Sequence, residues 1–191
     1  MNIGIDIDGV LANFVGGAKK LVKKHFGIDM RESDHDEVKH YDWYKDYLSD
    51  SQTNKFWKVL KATEDFWLNL QPTKAFQPNQ VLNILNSLRH SENIYFISSA
   101  LPTRGLPVTK QREAWLESYG ILDAQVIITK DKVKTAKDLG VKVFLEDSPY
   151  WIDQLKKAGL KVFIISYPYN AGRDGVYVPD LGSFLNFFWK P

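Results

Sequence analysis

Two aspartates, Asp6 and Asp8, stand one residue apart at the end of a short run of alternating isoleucines, and Gly9 follows them directly. The alternation is typical of a buried strand, and a glycine at its end is typical of a turn. Open α/β sheets bind ligands at the carboxyl ends of their strands, so both carboxylates would face a ligand there. Carboxylates this close repel each other, and the pair therefore favours a divalent cation, a shared proton or both. Taken alone, the pattern is also consistent with a solvated turn, because Asp-Gly is a common loop dipeptide.

Three further apolar runs end in polar residues that could reach the same edge of a sheet: Ser98 and Ser99 after residues 94–97, Lys132 shortly after residues 126–129, and Glu146 with Asp147 after residues 141–145. Carboxylates, hydroxyls and an ammonium group are the parts needed for metal-assisted phosphoryl transfer. One aspartate can attack phosphorus while its neighbour protonates the leaving oxygen. Mg²⁺ prefers oxygen ligands, and the serine hydroxyls and the lysine could hold the phosphoryl oxygens.

Each of these polar groups also has a purely structural interpretation. The serines could cap a turn, and Glu146-Asp147 could belong to a polar turn at a strand end. Lys132 competes with Lys130 and Lys134 as ordinary solvated charge on a helix. The occurrence of all these groups at the ends of successive apolar runs favours a common site.

The chain alternates between strand-like and helix-like patterns over most of its length. After the first strand, apolar runs predict strands at Ile94–Ser98, Gln125–Thr129, Val141–Leu145 and Lys161–Ile165. Helical spacing and terminating glycines predict helices at Leu11–Phe26, Pro78–Leu88, Thr109–Tyr119, Lys132–Leu139, Tyr150–Ala158 and Leu181–Trp189. Strands that alternate with helices predict an α/β fold whose parallel sheet carries helices on both faces.

Residues 28–70 interrupt this rhythm, because they are polar, rich in aromatic side chains and without a convincing strand. We expect a small helical insertion there, with helices near Asp34–Tyr41, Trp43–Ser49 and Gln52–Ala62. The predicted organisation is an α/β core domain formed by residues 1–27 and 71–191, with residues 28–70 as the insertion.

The composition indicates a globular protein and excludes several chemistries. The 191 residues are 44% hydrophobic, carry a formal charge of +2 and include no cysteine, which excludes disulfides and thiolate chemistry. The near-neutral charge gives no reason to expect a nucleic-acid polymer as a partner. The early aspartates argue against a signal peptide, and no apolar stretch approaches the ~18 residues of a membrane span. A cytoplasmic protein without a membrane partner is therefore expected, and association into a homodimer stays open.

The four polar groups occur in the order of the motifs of the haloacid dehalogenase (HAD) superfamily, which the chain resembles. Asp6-Ile-Asp-Gly-Val10 is similar to its first motif, Ser98 to its second, Lys132 to its third and Glu146-Asp147 to its fourth. The resemblance narrows to the 5'(3')-deoxyribonucleotidase family through segments 6–14, 66–72, 114–120, 128–132 and 167–170. It implies a Rossmann-like HAD fold and a phosphoric monoester hydrolase, with residues 28–70 as a cap.

The resemblance also implies a role for each matching residue. Asp6 would be the nucleophile that becomes a phosphoaspartate, and Asp8 the general acid and later the base that activates water. Mg²⁺ would be bound by Asp6, by the main-chain carbonyl of Asp8 and by Asp147. The phosphate would be held by Ser98, Ser99 and Lys132.

The fourth motif departs from the family, which usually has two aspartates where this chain has Glu146-Asp147. If Asp147 is the direct ligand, Glu146 stands behind it and the change is tolerated. If the first position is the ligand, the longer glutamate alters the geometry of the metal site.

An insertion that covers the site would allow side chains to select the leaving group. Aromatic faces suit a nucleobase, and the resemblance makes Phe14 a candidate stacking residue, with Trp43 and Tyr44 of the insertion as further candidates. Three other aromatic residues are expected to pack the insertion against the core instead: Trp57, Phe66 and Trp67.

We therefore expect a Mg²⁺-dependent phosphatase of (deoxy)ribonucleoside monophosphates. One alternative is the same chemistry on another small phosphate ester, and a second is a nucleotide-binding protein with weak or no catalysis. Lys110 and Arg112 could add positive charge above the phosphate, or could lie on the solvated face of their helix.

Overall fold

The computed structural model describes residues 1–189, and residues 190 and 191 of the predicted core segment lie outside the described residues. One six-stranded sheet organises the chain, in the spatial order β3-β2-β1-β4-β5-β6, with every neighbouring pair parallel. The strands are β1 (Asn2–Ile5), β2 (Asn93–Ser98), β3 (Gln125–Ile128), β4 (Val143–Glu146), β5 (Lys161–Ile165) and β6 (Val176–Val178).

Helices α1 to α6 precede β5 in the chain and α7 follows β6: α1 (Phe14–Phe26), α2 (Asp50–Ala62), α3 (Pro78–Ser91), α4 (Val108–Ser118), α5 (Lys132–Asp138), α6 (Pro149–Lys157) and α7 (Leu181–Leu185). Alternate residues of the sheet belong to two separate hydrophobic clusters; Leu145 and Phe163 pack in one, Phe144 and Ile164 in the other. Burial on both faces explains why the strands read as continuous apolar runs. The predicted α/β fold class with a parallel sheet is confirmed.

The order of the strands places the reversal of the sheet at β1, which lies between β2 and β4. Ligands of such sheets bind outside the carboxyl ends of the strands at the point of reversal. The polar residues that follow β1, β2 and β4 are therefore brought to one place by topology alone.

The first helix begins three residues later than predicted, at Phe14 instead of Leu11. The amides of Leu11 and Ala12 both donate to the carbonyl of Ile7, which closes a tight turn after the aspartates. Asn13 then caps α1, because its Oδ1 accepts a hydrogen bond of 2.8 Å from the amide of Gly16. The turn thus occupies the residues that helical periodicity had assigned to the first turn of the helix.

The insertion is less helical than expected. The predicted helices Asp34–Tyr41 and Trp43–Ser49 are short 3₁₀ turns at His35–Glu37 and Trp43–Asp46. Only α2 is a full helix, because Ser49 and Gln52 form a capping box at its start. Among residues 28–70 the structure has no strand, as predicted.

Two differences concern the carboxyl-terminal part of the chain. The strand β6 was not predicted, since it has three residues of which two are exposed and lies at the sheet edge. The last helix ends at Leu185 rather than Trp189, and turns follow it.

Candidate active site

Asp6 and Asp8 follow β1 at the centre of the sheet. The amide of Asp6 donates to the carbonyl of Leu145, so β1 stays paired with β4 up to this residue. Gly9 then has a φ of 80°, and a Cβ built there would lie 2.2 Å from Oδ2 of Asp147. Only a glycine allows the loop after β1 to pass this close to the carboxylate that follows β4.

A buried lysine joins two of the predicted motifs to the first aspartate. Lys132 Nζ lies 2.7 Å from Asp6 Oδ2 and 2.7 Å from Glu146 Oε2, and its side chain is 1% exposed. Asp131 caps the start of α5 by accepting from the amide of Lys134, which fixes Lys132 as the first residue of the helix. Lys132 is therefore not a solvated helix charge.

Glu146 uses both of its oxygens within the protein. Oε1 accepts hydrogen bonds from the amides of Asp147 and Ser148 at 3.1 and 3.0 Å, and Oε2 accepts from Lys132. The glutamate thereby shapes the turn after β4 and directs Asp147 toward the first aspartate. Its extra methylene is accommodated by the buried lysine.

Asp147 is held by two residues from the segment after β5. Tyr169 Oη donates to Asp147 Oδ2 at 2.6 Å, and Asn170 Nδ2 donates to the carbonyl of Asp147 at 3.0 Å. His35 of the insertion reaches the same tyrosine, with its Nδ1 3.1 Å from Tyr169 Oη. Burial lowers the pKa of His35 to about 4, so that the imidazole is neutral at neutral pH.

Oxygen atoms of Asp6, Glu146 and Asp147 lie within 4.8 Å of one another, and all three side chains are buried. Burial raises the pKa of Asp6 well above its ordinary value, Glu146 raises it further, and Lys132 opposes both. Burial and repulsion from Asp6 raise the pKa of Asp147 to about 7. Burial alone would lower the pKa of Lys132, but the attraction of Asp6 and Glu146 outweighs it, so this pKa is raised.

Three buried carboxyl groups therefore lie around one ammonium group. The surplus negative charge and the all-oxygen donor set match the preference of a hard divalent cation such as Mg²⁺. Asp6 has one protein partner at each oxygen, the amide of Ile7 and the ammonium group of Lys132, whereas Glu146 accepts from three donors. The residues present fit such an ion.

Asp8 has a different environment from Asp6. Its side chain is 24% exposed, Ser98 Oγ donates to its Oδ2 at 2.8 Å, and Arg112 Nη2 pairs with its Oδ1. Ser98 Oγ also accepts from the amide of Ala100 at 3.1 Å, so its proton and one of its two lone pairs are already engaged. The two aspartates thus have different cationic partners: Asp6 pairs with Lys132 and Asp8 with Arg112.

Ser99 offers the free hydroxyl that Ser98 lacks. Its Oγ is buried and has no hydrogen-bond partner among the described residues. It lines a cavity of about 180 Å³ together with Asp6, Asp8 and Lys132. A phosphate in this cavity would meet the serine hydroxyl and the lysine ammonium group.

A second cavity of about 170 Å³ lies beside the first, and Asp8, Phe14, Tyr41 and Trp57 line both. We name this second cavity the aromatic cavity; the remaining residues that line it are His35, Trp43, Tyr44, Asp147 and Tyr169. All three residues predicted to bind substrate line it: Phe14, Trp43 and Tyr44. Trp57, expected to be a packing residue, lines both cavities as well.

Phe66 packs as expected: it is buried and contacts the edge of Phe14 with ring centroids 6.0 Å apart. Trp67 is also buried, but it lines the first cavity as well. Sequence reasoning did not single out His35 or Tyr169, and it left Arg112 undecided between a site and a solvated helix face. The buried side chain of Arg112 excludes the solvated face. Lys110 is exposed and pairs with Glu113.

Solved structures with a similar fold include hydrolases of the HAD superfamily. A haloacid dehalogenase-like hydrolase from Streptococcus pneumoniae aligns with a TM-score of 0.62 at 13% identity, over 98% of both chains. A HAD hydrolase from Deinococcus radiodurans with bound phosphate and sodium aligns with a TM-score of 0.58 at 16% identity, over 96% of this chain and 92% of that one. A HAD-superfamily hydrolase of subfamily IA from Geobacter sulfurreducens aligns with a TM-score of 0.61 at 8% identity, over 98% of both chains. The fold is thus that of the HAD hydrolases, as the four motifs together had indicated.

The family follows from the sequence. Residues 1–179 match the model of the family described as 5' nucleotidase, deoxy (pyrimidine), cytosolic type C protein, and the chain belongs to this family. It is accordingly a phosphatase of the nucleotidase kind, as predicted, with the fold of the HAD hydrolases. A comparison with curated protein sequences gives no match. Over residues 1–189, no helix is both long and apolar enough to cross a membrane.

Proposed function

We propose that the protein removes the phosphate of a (deoxy)ribonucleoside monophosphate through a phosphoaspartate on Asp6, with Mg²⁺ as cofactor. The observation that carries the proposal is that the two cavities lie side by side and share four lining residues. The cavity lined by Asp6, Ser99 and Lys132 suits a phosphate, and Asp8, Phe14, Tyr41 and Trp57 line both it and the aromatic cavity. An aromatic-lined cavity beside a phosphate site matches a nucleoside as the leaving group.

The reaction would take place in two displacements. A carboxylate oxygen of Asp6 attacks phosphorus, the bond from phosphorus to the nucleoside oxygen breaks, and that oxygen takes a proton from the carboxyl of Asp8. Asp8, now a carboxylate, accepts a proton from water as the water oxygen attacks the phosphoaspartate. The bond from phosphorus to Asp6 then breaks, which releases inorganic phosphate and restores Asp6 as a carboxylate and Asp8 as an acid.

The other residues would hold the reacting groups. Lys132 and the hydroxyl of Ser99 bind phosphoryl oxygens, while Ser98 acts through its hydrogen bond to Asp8. Asp6, the main-chain carbonyl of Asp8 and Asp147 would hold Mg²⁺. When bound, Mg²⁺ would offset the negative charge of the phosphate and of the carboxylates that face it.

We also propose that residues 28–70 form a cap on a core made of the remaining residues. Five side chains of this segment line the aromatic cavity: His35, Tyr41, Trp43, Tyr44 and Trp57. A cap in this position excludes water from the phosphate and presents aromatic faces to the leaving group. The family description supports a cytosolic location for such an enzyme.

Release of phosphate from a panel of esters in the presence of Mg²⁺ tests the proposal. The panel should include deoxyribonucleoside and ribonucleoside 5'- and 3'-monophosphates, sugar phosphates and p-nitrophenyl phosphate. We expect kcat/KM for at least one nucleoside monophosphate to exceed that for every sugar phosphate, and chelation of the cation to remove activity. Equal activity on sugar phosphates would indicate a different small ester as substrate. Nucleotide binding without any phosphate release would indicate a binding protein.

The hydrogen bond from Tyr169 to Asp147 gives a specific prediction for the cation. Tyr169→Phe removes the donor that orients this carboxylate, and we expect the affinity for Mg²⁺ to fall by about 10- to 100-fold. Titration calorimetry of Mg²⁺ into the purified protein measures the effect. Tyr150→Phe is the matched control, since Tyr150 is 61% exposed. An unchanged Mg²⁺ affinity in Tyr169→Phe would rule out this role for the tyrosine.

A further inference from the structure

Arg112 is completely buried, although it lies on a helix whose other charged residues face solvent. Its guanidinium group pairs with Oδ1 of Asp8 and donates through Nη1 to the carbonyl of Trp67 at 3.3 Å. The group also stacks on Trp67, with Cζ 4.6 Å from the ring centroid. Burying the charge of an arginine is unfavourable unless that charge is paired. The position of Arg112 is therefore set by its partner, Asp8.

The partner of Arg112 is held from both sides. Arg112 contacts one oxygen of Asp8, and Ser98 donates to the other. Each carboxylate oxygen has two lone pairs, so each keeps one for a further partner. Donors from α4 and from the end of β2 thereby fix the plane of the Asp8 carboxylate and the direction of its remaining lone pairs.

A second layer of contacts fixes the guanidinium group itself. Gln111 Oε1 accepts from the amide of Trp67 at 3.0 Å, and Trp67 Nε1 donates to the carbonyl of Leu101 at 2.7 Å. The tryptophan is therefore locked on two sides beneath the guanidinium plane. Arg112 lines neither of the two cavities described above, and so it is placed to act on Asp8 and not on a bound ester.

We infer that Arg112 is a positioning residue that, together with Ser98, aims the carboxyl of Asp8 at the leaving oxygen. The inference rests on the proposed function. In the first displacement Asp8 gives its proton to the nucleoside oxygen, and the two donors stabilise the carboxylate that remains. In the second displacement the same carboxylate accepts the proton of the attacking water, and its fixed orientation is used again.

The leaving group offers a readout that separates this role from a structural one. A nucleoside oxygen is a poor leaving group and needs the proton, whereas p-nitrophenolate departs without one. Misorienting Asp8 should therefore slow the first displacement for a nucleotide and leave it nearly unchanged for p-nitrophenyl phosphate. The second displacement needs Asp8 with either substrate.

Arg112→Lys is the primary variant, because lysine keeps the charge but lacks the planar group that stacks on Trp67 and spans two acceptors. We expect single-turnover cleavage of a nucleoside monophosphate to fall by about 10²-fold or more. With p-nitrophenyl phosphate we expect a burst of p-nitrophenolate followed by slow turnover. The matched control is Arg104→Lys, an exposed arginine, which should behave as the unmodified protein.

Combination with Asp8→Asn completes the test. If Arg112 acts through Asp8, Arg112→Lys should cost no further activity on a nucleotide once Asp8 is already asparagine. Equal losses on both substrates without a burst, or an additive loss in the double variant, would overturn the inference. Failure of the unmodified protein to release phosphate from any ester would instead contradict the proposed function. Circular dichroism and thermal unfolding report whether each variant is folded.

Discussion

Asp6→Asn is expected to lower turnover of every phosphate ester by at least about 10³-fold while the protein stays folded. The amide has nearly the shape of the carboxylate but is not a nucleophile, so the phosphoaspartate cannot form. Burial and the nearby Glu146 raise the pKa of Asp6, which means that its charge is unfavourable in the folded protein. The free energy of unfolding should therefore fall little, because Lys132 keeps its ion pair with Glu146 when Asp6 is replaced.

The measurement is phosphate release together with urea unfolding of the same samples. Asp46→Asn is the matched control, because Asp46 is exposed and lies outside both cavities. Full activity of Asp6→Asn would eliminate nucleophilic attack by this residue. Loss of the folded state would show that the carboxylate is needed for stability and not only for chemistry.

Lys132→Met is expected to damage both stability and activity. Methionine fills similar space but leaves Asp6 and Glu146 facing each other in the interior without a cation. Removing one partner of a buried ion pair destabilises a protein by about 3–5 kcal/mol. Because Lys132 is also proposed to hold phosphoryl oxygens, turnover should fall by more than about 10²-fold as well.

The sign of the pH dependence follows from the raised pKa values of the two carboxyls. Burial raises the pKa of Glu146 in the folded protein, as it does for Asp6, so both bind protons more readily there than in the unfolded chain. The contribution of such a group to the free energy of unfolding is fully present at low pH and is lost as the pH rises through its raised pKa. The free energy of unfolding that Lys132→Met loses should therefore be smaller in mildly acidic buffer than at neutral pH.

A double variant separates the two effects of Lys132. Lys132→Met combined with Glu146→Gln removes the cation and one of the two facing charges, and we expect it to recover part of the lost stability but not the activity. Lys134→Met, at an exposed position two residues away, is the control and should change neither. Wild-type stability in Lys132→Met alone would contradict the electrostatic account of this cluster.

The sheet was predictable because its signals are local. Apolar runs such as residues 94–97 and 161–165 predict strands, and parallel pairing brings their carboxyl ends to one edge. The residues that follow those ends therefore lie close together, and the sequence alone predicts that Asp6, Lys132 and Asp147 share one site. Strand β6 was not predicted because its three residues, two of them exposed, carry no periodic signal.

The surroundings of the site were not predictable, because they depend on contacts between distant parts of the chain. Arg112 lies 104 residues from Asp8, and nothing in the pattern of α4 distinguishes it from a solvated arginine. His35 and Tyr169 are 134 residues apart, and only the tertiary structure brings them together. The substitution of Glu146 for the usual aspartate became interpretable once its three donors were visible.

The central claim is that Asp6 carries the phosphoryl group, and chemical trapping tests it most directly. The protein is mixed with a nucleoside monophosphate and Mg²⁺, quenched in acid during turnover and treated with borohydride, which reduces an acyl phosphate to an alcohol. Mass spectrometry of the peptides should then show homoserine at position 6 and at no other aspartate. Homoserine at Asp8 or Asp147, or no reduced residue while phosphate is being released, would contradict the account.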